Sequence, residues 1–115
     1  MKALILTGGK GSRLYPLTRV TPKALLDIKG KPMLAHILDN LEGSKALKEI
    51  FVVYPHDFDN QFRTFERYYP YTRKIEFISD RERDIREMPG SIGAIDYVVK
   101  HKRISDDLLV VAGDN

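Results

Sequence analysis

Three kinds of side chain in this sequence are suited to handling phosphate: an arginine and a lysine downstream of a glycine run, and a carboxylate behind an apolar segment. The run reads Leu6-Thr7-Gly8-Gly9-Lys10-Gly11-Ser12-Arg13, continues through Leu14-Tyr15-Pro16-Leu17-Thr18, and is followed by Thr21-Pro22-Lys23. Glycines let the backbone come close to a ligand and turn successive N–H groups toward an anion. Arg13 adds a planar fork for bidentate phosphate contact, and Lys23 adds a compact point charge. A polyphosphate is the guest this set fits. Lys10, between glycines, reads as a solvated loop lysine.

Two phosphate-binding patterns can be tested letter by letter. A P-loop needs G-x-x-x-x-G-K-[ST], but Gly9-Lys10 is followed by Gly11, and Leu4 stands where the first glycine belongs. A dinucleotide fingerprint G-x-G-x-x-G beginning at Gly9 needs a glycine where the sequence has Leu14. Both fail. What fits is the longer string G-G-x-G-x-R-L-x-P-L-T followed by a Pro-Lys pair. In this string the chain resembles the sugar-1-phosphate nucleotidyltransferases, matching their signature at Gly8, Gly9, Gly11, Arg13, Leu14, Pro16, Leu17, Thr18, Pro22 and Lys23. Gly30-Lys31-Pro32-Met33 repeats a junction of the same family.

The resemblance implies attack of a sugar phosphate on the α-phosphorus of a nucleoside triphosphate. That reaction brings two polyanions together, so the site must neutralise charge and hold the attack in line. By the same resemblance Arg13 handles the leaving pyrophosphate and Lys23 contacts phosphate near the reacting centre. Leu6, Thr7, Gly8, Gly9, Gly11, Ser12 and Arg13 would hold the nucleotide. Gly90 and Ser91, with Ala94, approximate a family segment L-G-T-A-x-A that lines the base and sugar pocket. Pro89 and Ile92 depart from it, and Ser91 reads from sequence as the cap of the following helix. Asp114, in the terminal Gly113-Asp114-Asn115, matches the family's metal-binding aspartate. Magnesium suits it, being a hard cation that takes one or two carboxylates together with substrate phosphates.

Composition narrows the alternatives. The chain has 115 residues, 19 Lys+Arg against 16 Asp+Glu, a net charge of +3 and no cysteine. That charge is too mild to suggest nucleic acid, and the lack of cysteine excludes disulfides and thiolate metal sites. No apolar run approaches the roughly 20 residues of a membrane span. The expectation is a soluble cytoplasmic protein with no membrane partner, and self-association stays open.

The elements that must position these groups follow from periodicity. Lys2 to Leu6, Glu49 to Tyr54, Lys74 to Ile78 and Leu108 to Ala112 read as strands, the apolar ones as interior parallel strands. Pro32 reads as a first helical residue before the stripe Met33, Leu34, Ile37, Leu38 and Leu41. His36 falls on that helix's polar surface. Phe58, Phe62, Phe65 and Tyr69 recur at helical spacing, which argues for packing on a sheet rather than a base-stacking platform. Ile92, Ile95, Val98 and Val99 mark a third helical face, with His101 in a basic patch beside it. Residues 79–87 are dense in alternating charge and read as solvated surface.

The expected architecture is therefore α/β: a three-layer, Rossmann-like nucleotidyltransferase fold with a mainly parallel sheet and right-handed crossovers. Residues 1–115 form one unit, corresponding to the nucleotide-binding half of the family domain and incomplete toward its C-terminus. The expected reaction joins a nucleoside triphosphate to a sugar 1-phosphate with magnesium, giving an NDP-sugar and pyrophosphate. The ending Gly-Asp-Asn leans by resemblance toward dTTP and glucose 1-phosphate. Mannose-1-phosphate guanylyltransferases and uridylyltransferases share most of the loop, while molybdopterin-guanylyltransferase relatives lack its Leu-x-Pro-Leu-Thr. A non-catalytic regulatory subunit of the same fold is the alternative from another class.

Overall fold

The computed structural model describes residues 1–7, 21–71, 73–80, 90–102 and 107–112, without the side chains of residues 90–92 and 101. Four strands, β1 (Lys2–Leu6), β4 (Glu49–Tyr54), β5 (Lys74–Ser79) and β6 (Leu108–Ala112), form one sheet in the order β5-β4-β1-β6. Every pairing is parallel. Among the described residues three α-helices, α1 (Met33–Glu42), α2 (Asp59–Tyr68) and α3 (Gly90–His101), lie between them in the chain.

Strand alternation sorts the core into two layers. Ala3, Ile5, Ile50, Val52 and Tyr54 face Leu34, Ala35 and Leu38 of α1 and Phe62 and Phe65 of α2. Leu4, Phe51, Val53 and Ile78 face the other way, onto Ala94 and Val98 of α3. A sheet sandwiched in this way needs apolar residues on both faces, which is why β1 and β4 read as continuous apolar runs. Burying each large side chain contributes roughly 1.5–3 kcal/mol, against about 1 kcal/mol at most for a surface ion pair. The core therefore outweighs the ion pairs at the strands' amino ends, where Glu49 lies between Lys2 (3.4 Å) and Lys74 (3.2 Å).

The aromatic stripe is core. Phe62 and Phe65 are buried, with Phe62 stacked on Tyr54 and Phe65 on Tyr69 at centroid distances of 4.9 Å. Val99, by contrast, is 41% exposed and lies off the buried face of α3. The basic patch after α3 is met by acid: Lys100 pairs with Asp96 at 3.2 Å, and Lys102 pairs with Glu76 at 2.5 Å.

Long-range contacts finish the elements. The Arg73 guanidinium donates to the carbonyls of Leu41 (3.3 Å), Glu42 (3.1 Å) and Ser44 (2.6 Å), satisfying acceptors that the end of α1 leaves unpaired. At the start of α1 a small antiparallel hairpin, β2 (Asp27–Ile28) and β3 (Lys31–Pro32), turns through Lys29 (φ 52°) and Gly30 (φ 92°). Two central residues with positive φ are the mark of a type I′ turn, which suits the twist of paired strands. Pro32 closes β3 with extended dihedrals and stands just before α1, one place earlier than its sequence suggests, while Met33 N–H donates to Leu26 C=O at 3.0 Å. His36 is on the helix surface but not idle: its Nε2 lies 2.6 Å from Ile28 C=O. Asp39 binds Lys31 and accepts from the Tyr71 hydroxyl, and the Lys31 ammonium holds its carboxyl below the usual range.

Two measurements follow from these features. Lys29 is a β-carbon-bearing residue in left-handed backbone, so Lys29→Asn should raise the unfolding free energy by about 0.5–1 kcal/mol in urea titrations, and a loss would contradict the turn assignment. Burial, then the hydrogen bond donated to Asp59, pushes the Tyr54 phenol up to about 12 from an ordinary value of 10.0. The fold favours the neutral phenol, so this contribution is complete below pH 10 and fades as pH rises toward about 12. Tyr54→Phe should flatten that part of the stability–pH curve; an unchanged slope would remove Tyr54 as its source.

Candidate functional site

The order in which the chain visits the sheet determines where a ligand can sit. From β1 the chain steps through α1 to β4 and through α2 to β5, always in one direction, with both helices on the same face. It then crosses through α3, on the opposite face, to β6 on the far side of β1. Right-handed crossovers require this change of face when the direction reverses. At a reversal of this kind open α/β sheets bind ligands, in the crevice at the carboxyl ends of the two strands concerned, here β1 and β6.

Register makes the placement specific. Leu6, the last residue of β1, is paired with Ala112, the last residue of β6. In the sequence Gly8 comes two places after Leu6, and Asp114 comes two places after Ala112. The strand ends that precede the two stretches singled out for phosphate and for metal are thus neighbours in the sheet.

Each predicted site residue can be located in turn. Leu6 is half-buried and packs on the layer beneath α3. Thr7 is buried, and its hydroxyl donates to Val53 C=O at 2.8 Å. Lys23 opens a short 3-10 turn, Lys23–Leu25, whose Ala24 is buried in the layer shared with α1. Gly90 and Ser91 are the first two residues of α3, so Ser91 lies inside the first turn instead of capping it. Gly8, Gly9, Gly11, Ser12, Arg13 and Asp114 lie outside the described residues, as does most of the charged stretch 79–87.

Sequence reasoning missed the supports of the site. His56, just past β4, donates its backbone N–H to the Asp80 carboxylate at 2.9 Å, and its Nδ1 lies 3.2 Å from Ser79 Oγ. The Pro-His-Asp ending of the strand was legible only as a stop signal. A separate groove of about 680 Å³ lies between Thr21, Leu25 and Pro32 on one side and Asn60, Thr64, Phe65 and Tyr68 on the other. Among the described residues its lining is mainly apolar, with no cation and no residue of β1 or β6. No helix among the described residues is long and apolar enough to cross a membrane.

Known proteins agree with this geometry. The chain is 34% identical over 115 residues to the bifunctional protein GlmU of Methanococcus maripaludis, covering 99% of this chain and 25% of that protein. It is 32% identical over 121 residues to the UTP–glucose-1-phosphate uridylyltransferase AglF of Haloferax volcanii, covering 100% of this chain and 44% of that one. The crystal structure of HddC from Yersinia pseudotuberculosis complexed with GMP-PN superposes with a TM-score of 0.75 at 29% identity, covering 98% of this chain and 47% of HddC. The chain thus spans a quarter to just under half the length of these relatives. The family profile described as nucleotidyl transferase matches residues 2–115, and with the parallel sheet and its β1–β6 crevice this establishes that the chain belongs to the nucleotidyl transferase family.

Proposed function

We propose that the intact protein transfers a nucleotidyl group from a nucleoside triphosphate to a sugar 1-phosphate. The observation that carries this reading is the pairing of Leu6 with Ala112, which sets the exits toward Gly8 and Asp114 side by side at the crevice. A sugar-phosphate oxygen attacks the α-phosphorus, the bond from that phosphorus to the oxygen bridging to the β-phosphate breaks, and pyrophosphate leaves. Backbone N–H groups of Gly8, Gly9, Gly11 and Ser12 cradle phosphate, Arg13 takes the charge of the departing pyrophosphate, and Lys23 neutralises charge near the reacting phosphorus. Gly90 and Ser91 stand toward the base and sugar.

Magnesium fits the donor set. Among the described residues no group of three or more His, Cys, Asp or Glu side chains gathers to hold a metal. In this reading Asp114 would hold the ion together with substrate phosphates, a small protein share that is usual for magnesium. When bound it supplies charge neutralisation at the triphosphate.

The pair favoured by the Gly113-Asp114-Asn115 ending is dTTP with glucose 1-phosphate. The relatives' names point to more than one base, so UTP with glucose 1-phosphate and GTP with mannose 1-phosphate belong in the same assay. Retention of Arg13, Lys23 and Asp114 supports an enzyme over a regulatory subunit.

Pyrophosphate release by the intact protein, measured across five nucleoside triphosphates and both sugar phosphates, should identify one preferred pair. Arg13→Ala and Lys23→Ala should each lower the rate on the order of 10²- to 10³-fold without a matching loss of thermal stability. Unchanged turnover in Arg13→Ala would instead assign the chain to the regulatory class.

A further inference from the structure

Strand β6 is composed like an interior strand and placed like an edge. Its residues, Leu108-Leu109-Val110-Val111-Ala112, carry no charge, and in the order β5-β4-β1-β6 it pairs with β1 alone among the described residues. Lys2 N–H donates to Asp107 C=O at 3.1 Å, which fixes the direction of the peptide groups that follow. These alternate along a strand, so Asp107, Leu109 and Val111 point theirs at β1, while Leu108, Val110 and Ala112 point theirs away. The N–H and C=O groups of these last residues line the outer edge.

Both faces of the strand are short of cover as well. Val111 packs on the layer of α1 and α2, and Leu108 packs on the layer of α3, so alternation puts Leu109 on the first face and Val110 on the second. Leu109 is 40% exposed and Val110 is 42% exposed. An apolar strand with outward peptide groups is a template for another strand, and sheets guard such edges with charge. The opposite edge of the described sheet has that guard: β5 carries Lys74 and Glu76, in ion pairs with Glu49 and Lys102. β6 lacks it.

We infer that the outer edge of β6 is an interface between two copies of this chain, joined by antiparallel β6–β6 pairing across a two-fold axis at Val110. The pattern of the strand argues for a copy over a different partner. A two-fold axis brings the same patch of both copies together, so a charge at its centre would repel its own counterpart, and β6 has none. Val110 then faces Val110 of the other copy and Leu108 faces Ala112, all with peptide groups aimed outward, so each pair exchanges both of its N–H···O=C bonds. Leu109 lies opposite Val111 of the other copy, and the side chains now exposed on the two faces gain neighbours. Such a contact closes on itself and leaves β6 no edge for a third chain.

Sedimentation velocity and amide hydrogen exchange on this chain, over a range of concentrations, test the interface. A dimer should form reversibly as concentration rises, and the amides of Val110 and Ala112 should gain protection in step with it. Those of Leu109 and Val111, directed at β1, should be protected throughout. Val110→Pro removes an outward N–H and no bond to β1, and Val110→Lys sets two ammonium groups together at the axis. Each should weaken association roughly 10- to 100-fold, whereas Val110→Thr, uncharged and still carrying its N–H, should stay within about threefold of the parent. Should Val110→Pro fail to fold, Val110→Lys decides, since its side chain starts from an exposed position. A monomer at every concentration overturns the inference. So does protection of Val110 in a monomer, which would assign the edge to another segment of the same polypeptide. Association that Val110→Lys leaves unchanged, or open-ended assembly in place of a dimer, overturns it too.

Discussion

The handedness of the parallel crossover is the constraint on which the structure depends. A right-twisted strand leading into a right-handed helix packs back on the sheet in only one sense. With β1 in the middle, two crossovers toward β5 place α1 and α2 on one face, and the single crossover toward β6 places α3 on the other. The three layers and the crevice beside β1 are two results of the same rule. A ligand site at that crevice requires no special device beyond side chains suited to it.

Around this frame the polar interactions divide by position. At the amino ends of the strands, ion pairs such as Glu49 with Lys2 and Lys74 are partly solvated and contribute little. At the carboxyl ends, neutral or backbone-directed bonds from Thr7, Asp80 and His56 hold chain exits in place. The asymmetry suits a sheet that binds at one end. The amino edge needs only to be soluble, whereas the carboxyl edge must present loops with a defined heading.

Much of the fold was legible in the sequence because its signals are local. The apolar runs at Ala3–Leu6 and Ile50–Tyr54, and the spacing of Phe58, Phe62, Phe65 and Tyr69, report burial on one or both faces without knowledge of any partner. Of the β2–β3 hairpin only the turn at Lys29-Gly30-Lys31 was legible, from its glycine; the paired strands and the left-handed backbone at Lys29 were not. Neither was the cap from Arg73 to α1, which joins residues about 30 positions apart. Pro32 and Ser91 were each displaced by a residue or two, because helix starts depend on capping geometry more than on periodicity. For the site, residue types and their order suggested the chemistry proposed for Arg13, Lys23 and Asp114. The strand order that such a site needs was not legible, since no local pattern states that β6 returns to lie against β1.

That return has a consequence for how the molecule is built. Lys2 pairs with Leu108, so β1 waits for a strand far along the chain before its second flank is covered. Contacts of such long range form late and slowly. The units from β1 to β5 can assemble first, through nearest-neighbour pairings, while the crevice has only one wall. Nucleotide capture, on the reading proposed above, is then complete only with the final docking event, which brings the strand leading to Asp114 alongside β1.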